Sequence, residues 1–210
     1  MTPGYRRVKR AVDVVGAAAL LVLGTPVYLA VAATVAVALG RPVHFVQERP
    51  GRHARPFRLV KFRTMRPGPG PDTRRLTPVG AWLRRRSLDE LPTLWNVLRG
   101  DMSLVGPRPL LTAYLGRYSP AQARRHEVRP GVTGLAQVRG RNALPWPRRL
   151  ALDTRYVDAV SWRLDLRILR ATVAAVARGT GVSAPGEATV AEFAGETTGA
   201  GEEVACGRTR

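Results

Sequence analysis

Residues 11–39 read AVDVVGAAALLVLGTPVYLAVAATVAVAL, and Asp13 is the only formal charge among them. As one straight helix the run would be about 43 Å long at roughly 1.5 Å per residue. A bilayer core is about 30 Å thick, so length alone permits a single-pass span. Two features point elsewhere. Gly24-Thr25-Pro26 stands at the centre of the run, and proline removes a helical hydrogen bond and kinks the helix. Both flanks are also basic, with Arg6, Arg7, Lys9 and Arg10 before the run and Arg41, Arg49, Arg52, Arg55 and Arg58 after it. A spanning helix keeps its positive charge on the cytoplasmic side. A helix–break–helix at Thr25-Pro26 that enters one leaflet and returns satisfies both features. Each half, about 13 to 14 residues, is too short to cross alone, and the Thr25 hydroxyl can bond a carbonyl freed by Pro26. A kinked span is the alternative of equal weight. A secretory signal peptide fits less well, because the apolar run is too long and carries an acid.

The 210 residues suffice for one domain with a real core. They include 34 Lys plus Arg against 15 Asp plus Glu, a formal net charge of +19. Such an excess calls for an anionic partner: nucleic acid, an anionic membrane surface or phosphorylated substrates. Lys9 and Lys61 are the only lysines, and arginine is the better fork for phosphate. The single cysteine, Cys206, excludes an intramolecular disulfide.

Beyond the apolar run, residues 43–47 and 57–63 are short and partly alternating, separated by Pro50-Gly51 and charges, which predicts a β-hairpin. Residues 67–71 form a Pro/Gly loop. Short helices are predicted over 77–86 and 91–98, the second stopped by Gly100. Ser119-Pro120 reads as a helix start and Pro130-Gly131 as its end. Ser161 opens a longer helix with Trp162, Leu166, Leu169, Val173 and Val176 at three- and four-residue steps and an arginine stripe of Arg163, Arg167 and Arg170. That pattern fits an ordinary surface helix or one lying in a membrane interface. Past Gly179 the composition shifts to Gly, Ala, Thr and Glu, which predicts a mostly flexible tail.

The chemistry-bearing stretch is SLDELPTLWNVL, residues 87–98, directly after Arg84, Arg85 and Arg86. Ser87 and Glu90 match a capping box. Yet Pro92 would then be the fifth helical residue, where its missing N–H matters. A helix starting nearer Leu91-Pro92 leaves Asp89 and Glu90 just before its N-terminus, where ionised carboxylates and anions are favoured. Two adjacent carboxylates need cations, either those arginines or a divalent metal. Such a pair suits phosphoryl chemistry, with Asp attacking phosphorus and Glu holding Mg²⁺. Lys61 and Arg63, two apart on a strand, Arg108 between Pro107 and Pro109, and Arg141-Asn142 after Gly140 are further phosphate-suited groups. Residues 130–134 read as another glycine-rich turn. Each of these, taken alone, also fits a solvated charge or a plain turn.

In order, the chain reads KRAVDVV, a Thr-Pro-broken apolar run, QERPG, KFRTM, RRRSLDELPTLWNVLRGDMSLVGPRP, RHEVRPGVTGLAQVRGRN, LDTRYVD and SWRLDLRIL. This series, over about residues 9–179, resembles the bacterial sugar transferase family in its short form. The resemblance implies an α+β, mostly helical protein. Its parts would be an N-terminal re-entrant membrane element over residues 1–40, a cytoplasmic catalytic domain with a small hairpin and amphipathic interfacial helices over 41–179, and a flexible tail over 180–210. It implies a monotopic enzyme of the cytoplasmic membrane that moves a sugar 1-phosphate from a nucleotide sugar, UDP-linked, to polyprenyl (undecaprenyl) phosphate in exopolysaccharide, capsule, O-antigen or glycoprotein glycan assembly. Asp89 would be the nucleophile and Glu90 its Mg²⁺ partner. Lys61, Arg84 and Arg108 would belong to the phosphate site, with Asp153 matching an acidic position after the GRN segment. Leu135 and Arg139 stand where Trp and Asn are frequent in the family. The implied partners are both substrates and membrane lipids, not nucleic acid, and a homodimer is compatible. Two other classes compete: a membrane-anchored, arginine-rich nucleic-acid binder and an inactive scaffold of an envelope-polysaccharide complex.

Overall fold

The computed structural model describes residues 3–178 and 192–195, so most of the tail expected over 180–210 lies outside the described residues. The chain folds as a mostly helical α+β protein. Helix α1, Pro3–Leu39, contains Pro26 within its length, so the helix continues through the expected break. Pro26 cannot donate to the Val22 carbonyl. The Thr25 hydroxyl instead donates to the carbonyl of Leu21, one residue earlier, at 2.8 Å.

Most of α1 meets no protein. Leu23 is 80% exposed and Val37 89%, and the helix is long and apolar enough to cross a bilayer. Such a surface marks α1 as a membrane anchor. Both halves nevertheless dock on the rest of the chain. Ala17 is fully buried with Leu94, Val97 and Leu104, while Val31 and Val35 pack with Phe62 and Leu83. Asp13, the one acid of the apolar run, faces the protein: its Oδ1 accepts the Leu104 N–H at 3.0 Å.

The predicted hairpin forms from β1, His44–Pro50, and antiparallel β2, Pro56–Phe62, in a register from His44 opposite Phe62 to Pro50 opposite Pro56. A short helix, α2, Asp72–Arg75, precedes α3, Pro78–Arg85, which the Thr77 hydroxyl caps by accepting the Gly80 N–H at 3.0 Å. Helix α4, Thr93–Arg99, ends at Gly100 with φ 94°, a left-handed conformation that glycine adopts without strain. Strand β3, Ser103–Val105, pairs in parallel with β4, Gly131–Thr133. Helix α5, Pro120–Ala123, lies between them and starts on a complete Ser119/Gln122 capping box. Helices α6, Leu135–Arg139, α7, Trp146–Ala159, and α8, Trp162–Arg178, complete the domain.

Two expectations are corrected here. Residues 131–133 are a strand rather than part of a turn. Glycines read as turn formers are instead needed because backbone meets backbone: a Cβ on Gly131 would stand 2.1 Å from the Gly106 nitrogen, and one on Gly134 2.1 Å from the Gly106 oxygen. In α8 the buried residues are Asp165, Ile168 and Ala175, while Trp162, Leu166 and Val173 are exposed. The apolar stripe read from the sequence is thus largely the outer face. Asp165 ties three helices together, accepting from Lys9 Nζ at 2.7 Å, the Tyr5 hydroxyl at 2.9 Å and the Tyr156 hydroxyl at 2.7 Å.

Candidate active site

Asp89 and Glu90 lie in a single 3₁₀ turn, Leu88–Glu90, between α3 and α4. The capping box is not formed. Ser87 makes no side-chain cap and adopts a left-handed backbone, φ 56° and ψ 20°, an uncommon state for a residue with a Cβ. The turn is closed instead by the Glu90 N–H on the Ser87 carbonyl at 3.2 Å and by the Thr93 hydroxyl on the Glu90 carbonyl at 2.5 Å. Helix α4 starts after Pro92. The acidic pair therefore stands just before its N-terminus, as Pro92 led us to expect.

Three surrounding elements deliver cations to this turn. Lys61, near the end of β2, donates to Glu90 Oε1 at 2.6 Å, and Arg108 Nη2 donates to the same oxygen at 2.7 Å. Arg84, on α3, donates through Nε to the Thr64 hydroxyl at 3.0 Å and attracts Asp89 electrostatically. Among the described residues no side chain hydrogen-bonds the Asp89 carboxylate. Its pKa is raised, first by burial and then by the Glu90 charge, with Lys61 and Arg84 opposing. Burial pushes Glu90 the same way. Arg108 and Lys61 more than offset this and hold its carboxyl far below the usual range. Lys61 is itself lowered by burial against the pull of Glu90. The two adjacent acids are thus driven apart: one stays ionised, and the other is a carboxyl of raised basicity.

The framework explains how residues distant in sequence meet. Asn96, buried in α4, donates from Nδ2 to the Arg58 carbonyl at 2.8 Å and accepts the Val60 N–H on Oδ1 at 3.2 Å. It staples β2 to α4 and so fixes Lys61 beside the acidic turn. Gly80 lets α3 approach Thr64, where a Cβ would meet the Thr64 oxygen at 1.9 Å, and this sets Arg84. Arg108 sits in the turn after β3. Its carbonyl accepts from Arg125 Nη2 at 2.7 Å, and Arg125 is paired with Asp153 Oδ2 at 2.7 Å, both nearly fully buried.

Of the residues singled out from sequence, Asp89, Glu90, Lys61 and Arg108 come together directly and Arg84 stands beside them. Arg141 is close enough to respond to Glu90 and Arg108, and its backbone is left-handed at φ 52°. Asn142 follows it in the same 3₁₀ turn, Arg141–Ala143. Two expectations are redirected. Arg63 does not join the cluster, because its guanidinium caps the end of α1 at the carbonyls of Leu39 and Gly40. Among the described residues Asp153 is linked to Arg108 through Arg125. Sequence reasoning missed Asn96, an odd choice inside a helix, and Arg49. Arg49 lines the same cavity as Lys61, Glu90 and Arg108, and burial beside Arg108 lowers its pKa to about 10. Its place in QERPG, between Glu48 and Pro50, was the available signal.

A carboxylate pair with Lys61, Arg84, Arg108 and Arg49 around it, on a domain carrying an exposed apolar anchor, is the arrangement of a membrane-associated enzyme with a strongly cationic site. The chain belongs to the bacterial sugar transferase family, whose model matches residues 4–179. It is similar to the uncharacterized sugar transferase EpsL of Bacillus subtilis, with 49% identity over 193 residues covering 89% of this chain and 96% of that one. It is also similar to a UDP-glucose:undecaprenyl-phosphate glucose-1-phosphate transferase of Caulobacter vibrioides, with 44% identity over 181 residues covering 79% of this chain and 68% of the other. The exopolysaccharide production protein ExoY of Rhizobium meliloti is 39% identical over 191 residues, 80% of this chain and 84% of its own.

Proposed function

We propose that this protein transfers a sugar 1-phosphate from a UDP-sugar to undecaprenyl phosphate through a covalent intermediate on Asp89. The observation that carries this reading is the division of labour in the acidic pair. Glu90 is pinned by Lys61 and Arg108, while the Asp89 carboxylate is buried, without a hydrogen-bonded side chain among the described residues, and of raised basicity, as a nucleophile needs to be. In the first half-reaction an Asp89 oxygen bonds to the sugar-bearing phosphorus. The bond from that phosphorus to the bridging oxygen breaks, and a nucleoside monophosphate leaves. In the second, an oxygen of the lipid phosphate attacks the same phosphorus, freeing the carboxylate and giving polyprenyl-diphospho-sugar. Arg84, Arg108, Lys61 and Arg49 balance the charge of the phosphate oxygens.

The donor set fits Mg²⁺. Glu90 and Asp89 offer hard carboxylate oxygens, and this ion needs few protein ligands when phosphates and water supply the rest. Glu90 would hold it, and it would add charge neutralisation at the transferred phosphate. No group of three or more acidic, His or Cys ligands occurs among the described residues, and substrate phosphates and water would complete such a site.

In the same reading α1 enters one leaflet and returns, with the domain on the cytoplasmic face. Support comes from Pro26 at its middle, the basic residues at both ends and the docking of both halves on one domain. The exposed Trp162, Leu166 and Val173 of α8 beside Arg163, Arg167 and Arg170, with exposed Trp82 and Trp95, suit a surface lying in the headgroup layer. A donor screen with polyprenyl phosphate tests the function. Release of nucleoside monophosphate with at least one UDP-sugar is expected, and its absence across the panel removes the proposal.

A further inference from the structure

A second cavity opens at the foot of α1. Arg6, Arg10, Arg52 and Arg129 line it, with Ser103 and Tyr156 in its wall. None of its lining residues also lines the catalytic cavity. Asp13 is its one carboxylate among the described residues, and that side chain is committed to the Leu104 N–H. Lys9, also in the wall, is satisfied by Asp165 at 2.7 Å.

The four guanidinium groups have no such partner. None makes an ion pair among the described residues. Arg10 donates to the carbonyls of Val97 and Leu98 at 2.6 and 2.8 Å, and Arg129 donates through Nε to Gly100 at 2.8 Å. These bonds cap the end of α4 and account for two of the four arginines. Arg52 donates only through Nε, to the Glu127 carbonyl at 3.1 Å, and Arg6 makes no hydrogen bond among the described residues. Capping therefore leaves unexplained why two more arginines converge on the same cavity. Burial lowers Arg52, with Arg6 and Arg129 adding to it, and burial lowers Arg129, with Arg10 and Arg6 adding to it.

We propose that this cavity binds a phosphate group at a site separate from the catalytic one. Guanidinium forks, three of them held by backbone carbonyls, with donors left over and Asp13 the one carboxylate among four arginines, match a tetrahedral oxyanion better than a further carboxylate. The bound anion relieves the mutual repulsion of the four cations. Two sources supply that chemistry: the headgroup of an anionic phospholipid, abundant beside a membrane-embedded α1, and soluble phosphate.

The test uses the full chain in neutral detergent, titrated calorimetrically with dihexanoyl-phosphatidylglycerol and, separately, with inorganic phosphate. The wild type is compared with Arg6→Ala/Arg52→Ala, which leaves the catalytic cavity intact. The proposal expects saturable binding that is about tenfold weaker in the double variant and weakens with salt. Sugar-phosphate transfer should stay within about twofold of wild type, since these residues stand outside the catalytic machinery. A difference confined to the lipid assigns the headgroup; one seen with inorganic phosphate assigns a soluble phosphate. Equal affinities of the two proteins for both probes overturn the site. Should the double variant fold poorly, Arg6→Ala alone decides, because Arg6 has no contact whose loss unfolds the protein. Unchanged affinity there also overturns it.

Discussion

Lys61 on β2 and Glu90 in the turn before α4 lie 29 positions apart and share a 2.6 Å ion pair. Arg108 completes it on the same carboxylate oxygen at 2.7 Å. Removing the charge of Glu90 leaves two cations in a largely buried site without their hydrogen-bonded carboxylate, and with only the Asp89 charge near both. Glu90→Gln is expected to cost about 2–4 kcal/mol of stability and at least about 100-fold in transfer. The pH dependence has a definite sign. The folded pKa of Glu90 is depressed, so its stabilisation is present above the unfolded carboxylate pKa and is lost as pH falls through the folded value. Melting curves should therefore separate wild type from Glu90→Gln at neutral pH and converge in acid. A constant gap would contradict the pairing.

Asp89 has the opposite sign. Its pKa is raised by burial and by Glu90, so the protonated form is favoured on folding. That stabilisation is complete below the unfolded pKa and lost as pH rises through the folded one. Asp89→Asn should thus be more stable than wild type at neutral pH, by about 1 kcal/mol, while losing transfer. The rate of the first half-reaction should rise with pH through a group titrating above the ordinary carboxylate range. A destabilised Asp89→Asn would show that the carboxylate is held by contacts other than those described.

Asp153 and Arg125 hold the backbone of Arg108 from behind. Asp153→Ala leaves Arg125 charged and buried, and is expected to cost about 3–5 kcal/mol. Arg108→Ala should change stability much less and transfer more. A double-mutant cycle between Asp153 and Arg125 should show strong coupling in melting temperature. If Asp153 instead touches substrate, its conservative variant will raise KM without lowering the melting temperature.

Much of this site was legible in the sequence, and what was missed has a common cause. Pro92 argued that the helix starts after the acidic pair, and it does. The hairpin followed from alternation, and Ser119-Pro120 from capping chemistry. These are local signals. Arg63 stands apart from the acidic turn because strand alternation says which side a residue faces, not what lies there, and the end of α1 lies there. The parallel pairing of β3 with β4 was invisible because each strand has three residues and the partners are far apart in sequence. Asn96 and Asp153 act through contacts across 38 and 28 positions, which no pattern of neighbours encodes. In α8 the apolar spacing fits a surface helix or one in a membrane interface, and it does not separate the inner face, with Asp165, Ile168 and Ala175, from the exposed Trp162, Leu166 and Val173.

Gly80 gives a test of that long-range framework. A methyl group there collides with the Thr64 backbone. Gly80→Ala is expected to cost about 1–3 kcal/mol through overpacking and to lower transfer by displacing Arg84. Thermal melting and steady-state rates measure both. An unaffected protein would mean that α3 does not need its close seat on Thr64.

The re-entrant path of α1 is tested separately from the chemistry. In a Cys206→Ser background, single cysteines replacing Tyr5 and Arg41 should both be shielded from a thiol reagent confined to the periplasm. Labelling of one end alone would show that α1 spans the bilayer.

The account turns most directly on the bond made by Asp89. The purified enzyme, incubated with a UDP-sugar labelled in the sugar and with no lipid acceptor, should retain one sugar phosphate, visible by intact mass. A peptide map should assign that mass to Asp89, and polyprenyl phosphate should discharge it. Asp89→Asn, folded and at least as stable as wild type, should retain none. A label that persists in Asp89→Asn, or full transfer by that variant, would contradict the covalent course.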